Sequence, residues 1–139
     1  MTETISLETA KAVVEACERK AAEIGTPMVI AVANSEGNLV AQHRMDGAWL
    51  GSIDISRNKA FTATAFDMPT HELTELSQPG NALYGLQNTN EGRIVIFGGG
   101  YPLERGGDVV GAVGVSGGAV EQDRTVAEAG VEAFADLLS

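Results

Sequence analysis

Apolar residues recur at three- and four-residue steps from Leu7 through Ala10, Val14, Cys17 and Ala21 to Ile24, the spacing of one face of an amphipathic helix. Ser6 stands where an N-cap belongs, Glu8 puts an acid in the first turn, and Gly25 and Pro27 end the helix. Met28 to Ala33 is an apolar run too short for a helix, and Ser35-Glu36-Gly37-Asn38 is turn chemistry ahead of a second run, Leu39 to Met45. The two runs predict a β-hairpin, with Leu39, Ala41, His43 and Met45 on one face and Val40, Gln42 and Arg44 on the other. Asp46-Gly47-Ala48 breaks the second strand. Ser52 is placed to cap a helix that runs to about Phe66 and is rich in small side chains, among them Ser56, Ala60, Thr62, Ala63, Thr64 and Ala65.

Met68-Pro69 ends that helix, Thr70 caps a short one through Leu73 and Leu76, and Gln78-Pro79-Gly80 closes it. Asn81 to Gly92 has no period and reads as loop. Arg93 to Phe97 has the β-branched density of a central third strand, and Tyr101 to Arg105 makes a short fourth. Gly106-Gly107-Asp108 turns the chain into a fifth, Val109 to Val115, and a last helix spans Val120 to Leu138 with Val126, Ala129, Ala133 and Leu137 facing inward. The order is α-β-β-α-α-β-β-β-α. Short turns within each strand group predict a five-stranded antiparallel sheet with helices packed on it, an α+β fold formed by one domain over residues 1–139.

Composition sharpens this picture at one place. Phe97 to Gly118 carries more than half of the chain's 17 glycines, and Gly111 and Gly114 fall inside the fifth strand. Glycine within a strand marks a bulge or a close backbone approach, so this hairpin is expected to line a tight contact with a helix, a ligand or a second subunit. Aromatic content of only 5% fits backbones packed closely over a core of small residues. A formal net charge of -10 argues against nucleic acid or an anionic membrane as partner, because both are bound through lysine and arginine. The single cysteine, Cys17, excludes an internal disulfide and reads as a small buried hydrophobe. The first residues, MTETISLETAK, lack the basic and apolar regions of a signal peptide, and no apolar run spans a bilayer, so the expected location is cytoplasmic.

Little of the chemistry is spelled out by motifs. Gly114-Val115-Ser116-Gly117-Gly118 fits the pattern of a nucleophile elbow, but both histidines, His43 and His71, precede the serine, opposite to the hydrolase order. Two histidines and one helical cysteine do not make a zinc motif. Lys59 stands out in a helix of small residues; the plain expectation is a snorkelling or salt-bridged lysine, and the functional one an ammonium tethered near Asp46, Asp54 or a ligand. Glu91, in the asparagine-rich loop, is the candidate general base for proton transfer. His71, just after a proline, is expected at the surface.

Four blocks of sequence together resemble a known family. His43-Arg44-Met45-Asp46-Gly47-Ala48, Ser56-Arg57-Asn58-Lys59-Ala60-Phe61-Thr62-Ala63, Gly98-Gly99-Gly100-Tyr101-Pro102-Leu103 and Gly111-Ala112-Val113-Gly114-Val115-Ser116-Gly117 come in the order and spacing of the GlcG/HbpS-like family, which includes the C-terminal domain of PduO-type proteins. The resemblance implies a profilin- or PAS-like fold and assembly into higher homo-oligomers, such as an octamer. It also implies that some members bind haem and occasionally degrade it, while others accompany the catabolism of small diols, glycolate or aromatic compounds. Unlike the secreted members, this sequence shows no export signal in its first residues, and it is expected to act without an attached corrinoid-processing domain.

The candidate cofactor-binding residues are His43, Arg44, Gly99, Gly100 and Pro102. His43 would be the iron ligand if haem is bound, and Arg44 would pair with a propionate. The reading preferred is a homo-oligomer that binds a small molecule or haem. The alternative is a cofactor-independent lyase, isomerase or hydrolase in which Arg44, Lys59 and Glu91 orient a compact polar or aromatic substrate and move a proton.

Overall fold

The computed structural model describes residues 3–138. Helix α1 (Leu7–Glu23) leads into the hairpin of β1 (Val29–Asn34) and β2 (Leu39–Arg44), and helix α2 (Gly51–Phe66) follows. Three short 3-10 turns, Thr70–Leu73, Leu86–Asn88 and Asn90–Gly92, precede the hairpin of β3 (Gly100–Arg105) and β4 (Asp108–Ser116), and helix α3 (Val120–Leu138) closes the chain. The four strands form one antiparallel sheet in the order β2-β1-β4-β3. None of the described helices is long and apolar enough to cross a membrane.

Alternation along β1 and β4 separates two unlike layers. Ile30, Val32, Val113 and Val115 face one way and pack with Val13, Val14 and Cys17 of α1 and Val126, Ala127 and Phe134 of α3. Ala33 and Ala112 face the other way, against Ala60 and Ala63 of α2. On this second face the glycines matter. A Cβ on Gly114 would run into the Ser56 carbonyl and lie 2.6 Å from the Ala60 amide nitrogen, and one on Gly100 would lie 2.6 Å from the Lys59 carbonyl oxygen. The close approach expected of the glycine-rich hairpin is therefore met by α2 of the same chain.

Local signals worked as expected at the first helix and hairpin. The Ser6 side chain accepts the Thr9 N–H at 3.1 Å, and the Asn34 side chain accepts both Glu36 N–H and Asn38 N–H at 3.0 Å to close the β1–β2 turn.

Four expectations are corrected. The sheet has four strands and not the five of a profilin- or PAS-like sheet, because Arg93–Phe97 joins no ladder. Its β-branched residues reflect burial (Ile94 is 3% exposed), while its backbone is satisfied by threonine hydroxyls. Thr62 accepts the Val95 N–H at 3.0 Å and donates to the Arg93 carbonyl at 3.4 Å, and Thr74 donates to the Ile96 carbonyl at 2.6 Å. The helix expected from Thr70 is a single 3-10 turn, so the element order is α-β-β-α-β-β-α. Ser52 does not cap α2: Leu50 holds that position without a side-chain bond, and Ser52 is buried, accepting the Ser116 hydroxyl at 3.0 Å. Finally, α3 turns Asp123, Val126, Ala127, Gly130 and Phe134 inward and leaves Leu137 55% exposed. Gly130 belongs to the buried face because the Cys17 sulfur occupies the space its Cβ would need.

Candidate functional site

Lys59 is completely buried. From α2 its ammonium passes beside Gly99 and donates to the Val115 carbonyl at 2.7 Å and to Asp123 Oδ2 at 2.9 Å, with the Phe97 ring centroid 5.0 Å away. Asp123 lies in the first turn of α3, and its Oδ1 accepts the Gly118 N–H at 2.9 Å. This pair ties together two helices that sit on opposite faces of the sheet. Burial pulls the lysine down from its ordinary pKa and pushes the aspartate up, and each is opposed by the charge of the other. Lys59 is thus tethered, but by Asp123 and not by Asp46 or Asp54.

The other sequence-predicted residues do not gather around Lys59. Gly99 and Gly100 do: a Cβ on Gly99 would sit 2.7 Å from the Lys59 nitrogen, so the space beside both glycines is filled by the chain itself. Pro102 is half-buried on β3, paired with Ala112. Arg44 lies on the opposite edge strand and donates through Nε and Nη2 to the Ala48 carbonyl at 3.1 and 2.9 Å. Three strand spacings of about 4.8 Å separate β2 from β3, roughly 14 Å. Glu91 sits on an exposed turn with φ of 60°. Arg44 and Lys59 are thus each held by hydrogen bonds within the chain, while Glu91 is open to solvent.

His43 and Arg44 also part company, since neighbours along a strand point to opposite faces. Gln42 and Arg44 take the α2 side, where Gln42 donates to the Ile53 carbonyl at 2.7 Å. His43 takes the α1 side, where its Nδ1 is 2.7 Å from Glu18 Oε1. The His43 side chain is 45% exposed, and Ala41 and Met45 on the same face are partly buried against the core. Haem asks the protein for an axial donor beside apolar surface, and this imidazole and its neighbours fit that demand; Arg44, turned away, does not fit as its propionate partner within the same copy.

His71, expected to be exposed, is half-buried. Its Nδ1 is buried without a hydrogen-bond partner, and its ring packs 5.6 Å from that of Tyr101. Burial, helped by the nearby Arg124 charge, lowers its pKa from 6.5. The Tyr101 hydroxyl donates to Glu128 at 2.6 Å and accepts from Arg124 Nε at 3.2 Å, beside a shallow cleft of about 230 Å³ bordered by Glu121, Arg124, Thr125 and Glu128. Burial pushes the Cys17 thiol up to about 12, which makes it inert packing. Among the described residues, no group of three or more His, Cys, Asp or Glu side chains converges as a metal-ligand set. Sequence reasoning missed Asp123 and Glu18. An acid in the first turn of α3 was a signal for Asp123, but nothing local pointed to Glu18, which meets its partner 25 residues further along.

The profile of the family described as "Haem degrading protein HbpS-like" matches residues 5–132. The chain is 53% identical over 134 residues to a 15.0 kDa protein of the dhaT-dhaS intergenic region of Citrobacter freundii, covering 96% of this chain and 94% of that protein. The crystal structure of Klebsiella pneumoniae protein ORFY superposes with a TM-score of 0.95 at 47% identity, over 97% of this chain and 93% of that one. That of the PduOC:heme complex superposes with a TM-score of 0.90 at 38% identity, over 94% of each chain. Matched along nearly its whole length in sequence and in fold, the chain belongs to the HbpS-like family.

Proposed function

We propose that this chain is a small-molecule-binding homo-oligomer of the HbpS type that takes haem, with His43 as the axial ligand. The observation that carries the reading is the likeness to PduOC, which was crystallised as a heme complex and shares 38% of its residues across 94% of both chains. This chain contributes a reachable imidazole: His43 is nearly half exposed on an edge strand, whereas the other histidine, His71, has its Nδ1 enclosed by the protein. When bound, haem would supply one-electron and oxygen chemistry, and the protein's part is to hold and orient it. Self-association is supported by large apolar side chains left open, Trp49 at 67%, Leu50 at 72% and Tyr84 at 67% exposure. The cofactor-free enzyme reading is less favoured, because it needs Arg44, Lys59 and Glu91 on one substrate and Lys59 is enclosed in its ion pair.

Haem titration of the purified chain tests the proposal. A Soret band should grow in with wild type and with His71→Ala at micromolar haem and be lost in His43→Ala. No spectral change in wild type would sink it.

A further inference from the structure

We infer that Glu18 is the positioning residue for His43: it fixes which imidazole nitrogen faces outward and how strongly that nitrogen donates. The inference rests on the haem reading for its purpose but on the geometry of the chain alone for its mechanism. Glu18 projects from α1 onto the face of β2 that carries His43, and its Oε1 lies 2.7 Å from Nδ1. An ionised carboxylate can only accept a hydrogen bond, so in the neutral imidazole the proton sits on Nδ1 and the Nε2 lone pair is left free. An unconstrained neutral histidine favours the opposite tautomer. The carboxylate also shares the Nδ1 proton, which makes Nε2 a stronger donor toward a metal and favours the ferric over the ferrous state.

A purely structural role explains the contact poorly. Both side chains are open to solvent, 45% for His43 and 32% for Glu18, and such exposed pairs add little to folding. A short bond that contributes little to stability but sets a tautomer has the character of outer-shell support for a ligand. Losing such support typically costs a metal site about tenfold to a hundredfold in affinity.

The chain has only two histidines, so ¹⁵N spectra of the haem-free protein can be assigned by comparison with His71→Ala. Wild-type His43 should show the Nδ1–H tautomer, and Glu18→Ala should shift it to Nε2–H with an unchanged melting temperature. On haem titration, Glu18→Ala should bind about tenfold more weakly. Glu18→Gln keeps a neutral acceptor in place, so it should retain most of the affinity but show a more positive reduction potential. An Nε2–H tautomer in the wild type overturns the inference. So does wild-type affinity and potential in Glu18→Ala alongside loss of binding in His43→Ala. If instead His43→Ala binds haem as wild type does, the proposed ligand is wrong, while the tautomer measurement still reports on Glu18.

Discussion

Replacing Lys59 by methionine isolates the strongest electrostatic commitment in the fold. The substitution keeps most of the volume and removes the charge, leaving the Asp123 carboxylate with backbone N–H donors but without its cationic partner, at 4% side-chain exposure. Breaking a buried pair by removing one partner costs about 3–5 kcal/mol, since the other charge stays desolvated. Total stabilities are about 5–15 kcal/mol, and at this chain length each kcal/mol moves the melting temperature by roughly 3–4 °C, so a fall of about 10–20 °C is expected. Thermal and urea unfolding followed by circular dichroism would measure it. Adding Asp123→Asn to Lys59→Met removes the stranded charge but keeps an acceptor for Gly118, and should recover most of the loss. In Lys59→Met alone, burial holds the Asp123 pKa above its unfolded value of 3.8. The folded state then binds the extra proton first, and the deficit should shrink as pH falls from neutral toward that value. A loss under about 1 kcal/mol, or a double variant as poor as the sum of the singles, would refute the reasoning.

The Gly114→Ala substitution should cost more than about 4 kcal/mol or prevent folding, since the added carbon meets backbone of α2 that cannot swing aside. Gly51→Ala, with open space around it and helical backbone, should be neutral or slightly stabilising in the same melt, and equal tolerance at both positions would contradict the packing argument. The folded-state pKa of His71 lies below 6.5, so the unfolded chain binds more protons in that region and stability should fall as pH drops through it. His71→Phe should flatten this part of the stability–pH curve, and an unchanged slope would rule His71 out as its source.

Where a signal is local, sequence sufficed. The period from Ala10 to Ala21, the Ser6 cap and the Asn34-to-Asn38 turn depend on residues within a few positions of one another, and α1 and the β1–β2 hairpin formed as expected. Arg93–Phe97 misled because its strand-like apolar density serves burial, while hydroxyls of Thr62 and Thr74, more than 20 residues away, do the work of a neighbouring strand. The site behaves likewise. Lys59 was conspicuous among small residues, but its partner lies 64 positions on. Strand alternation placed His43 and Arg44 on opposite faces, yet nothing in alternation reveals that α1 brings Glu18 across to the imidazole.

The two sides of the sheet fail in opposite ways. Toward α1 and α3 the contacts are made by branched aliphatic side chains, where trimming leaves a void and a swap of similar volume can be absorbed. Toward α2 the contacts are main chain against main chain, with Ala33, Ala60, Ala63, Ala112 and Gly114 contributing almost nothing that can be trimmed. A saturation library of this protein should therefore split by layer, one intolerant of shrinkage and the other of growth.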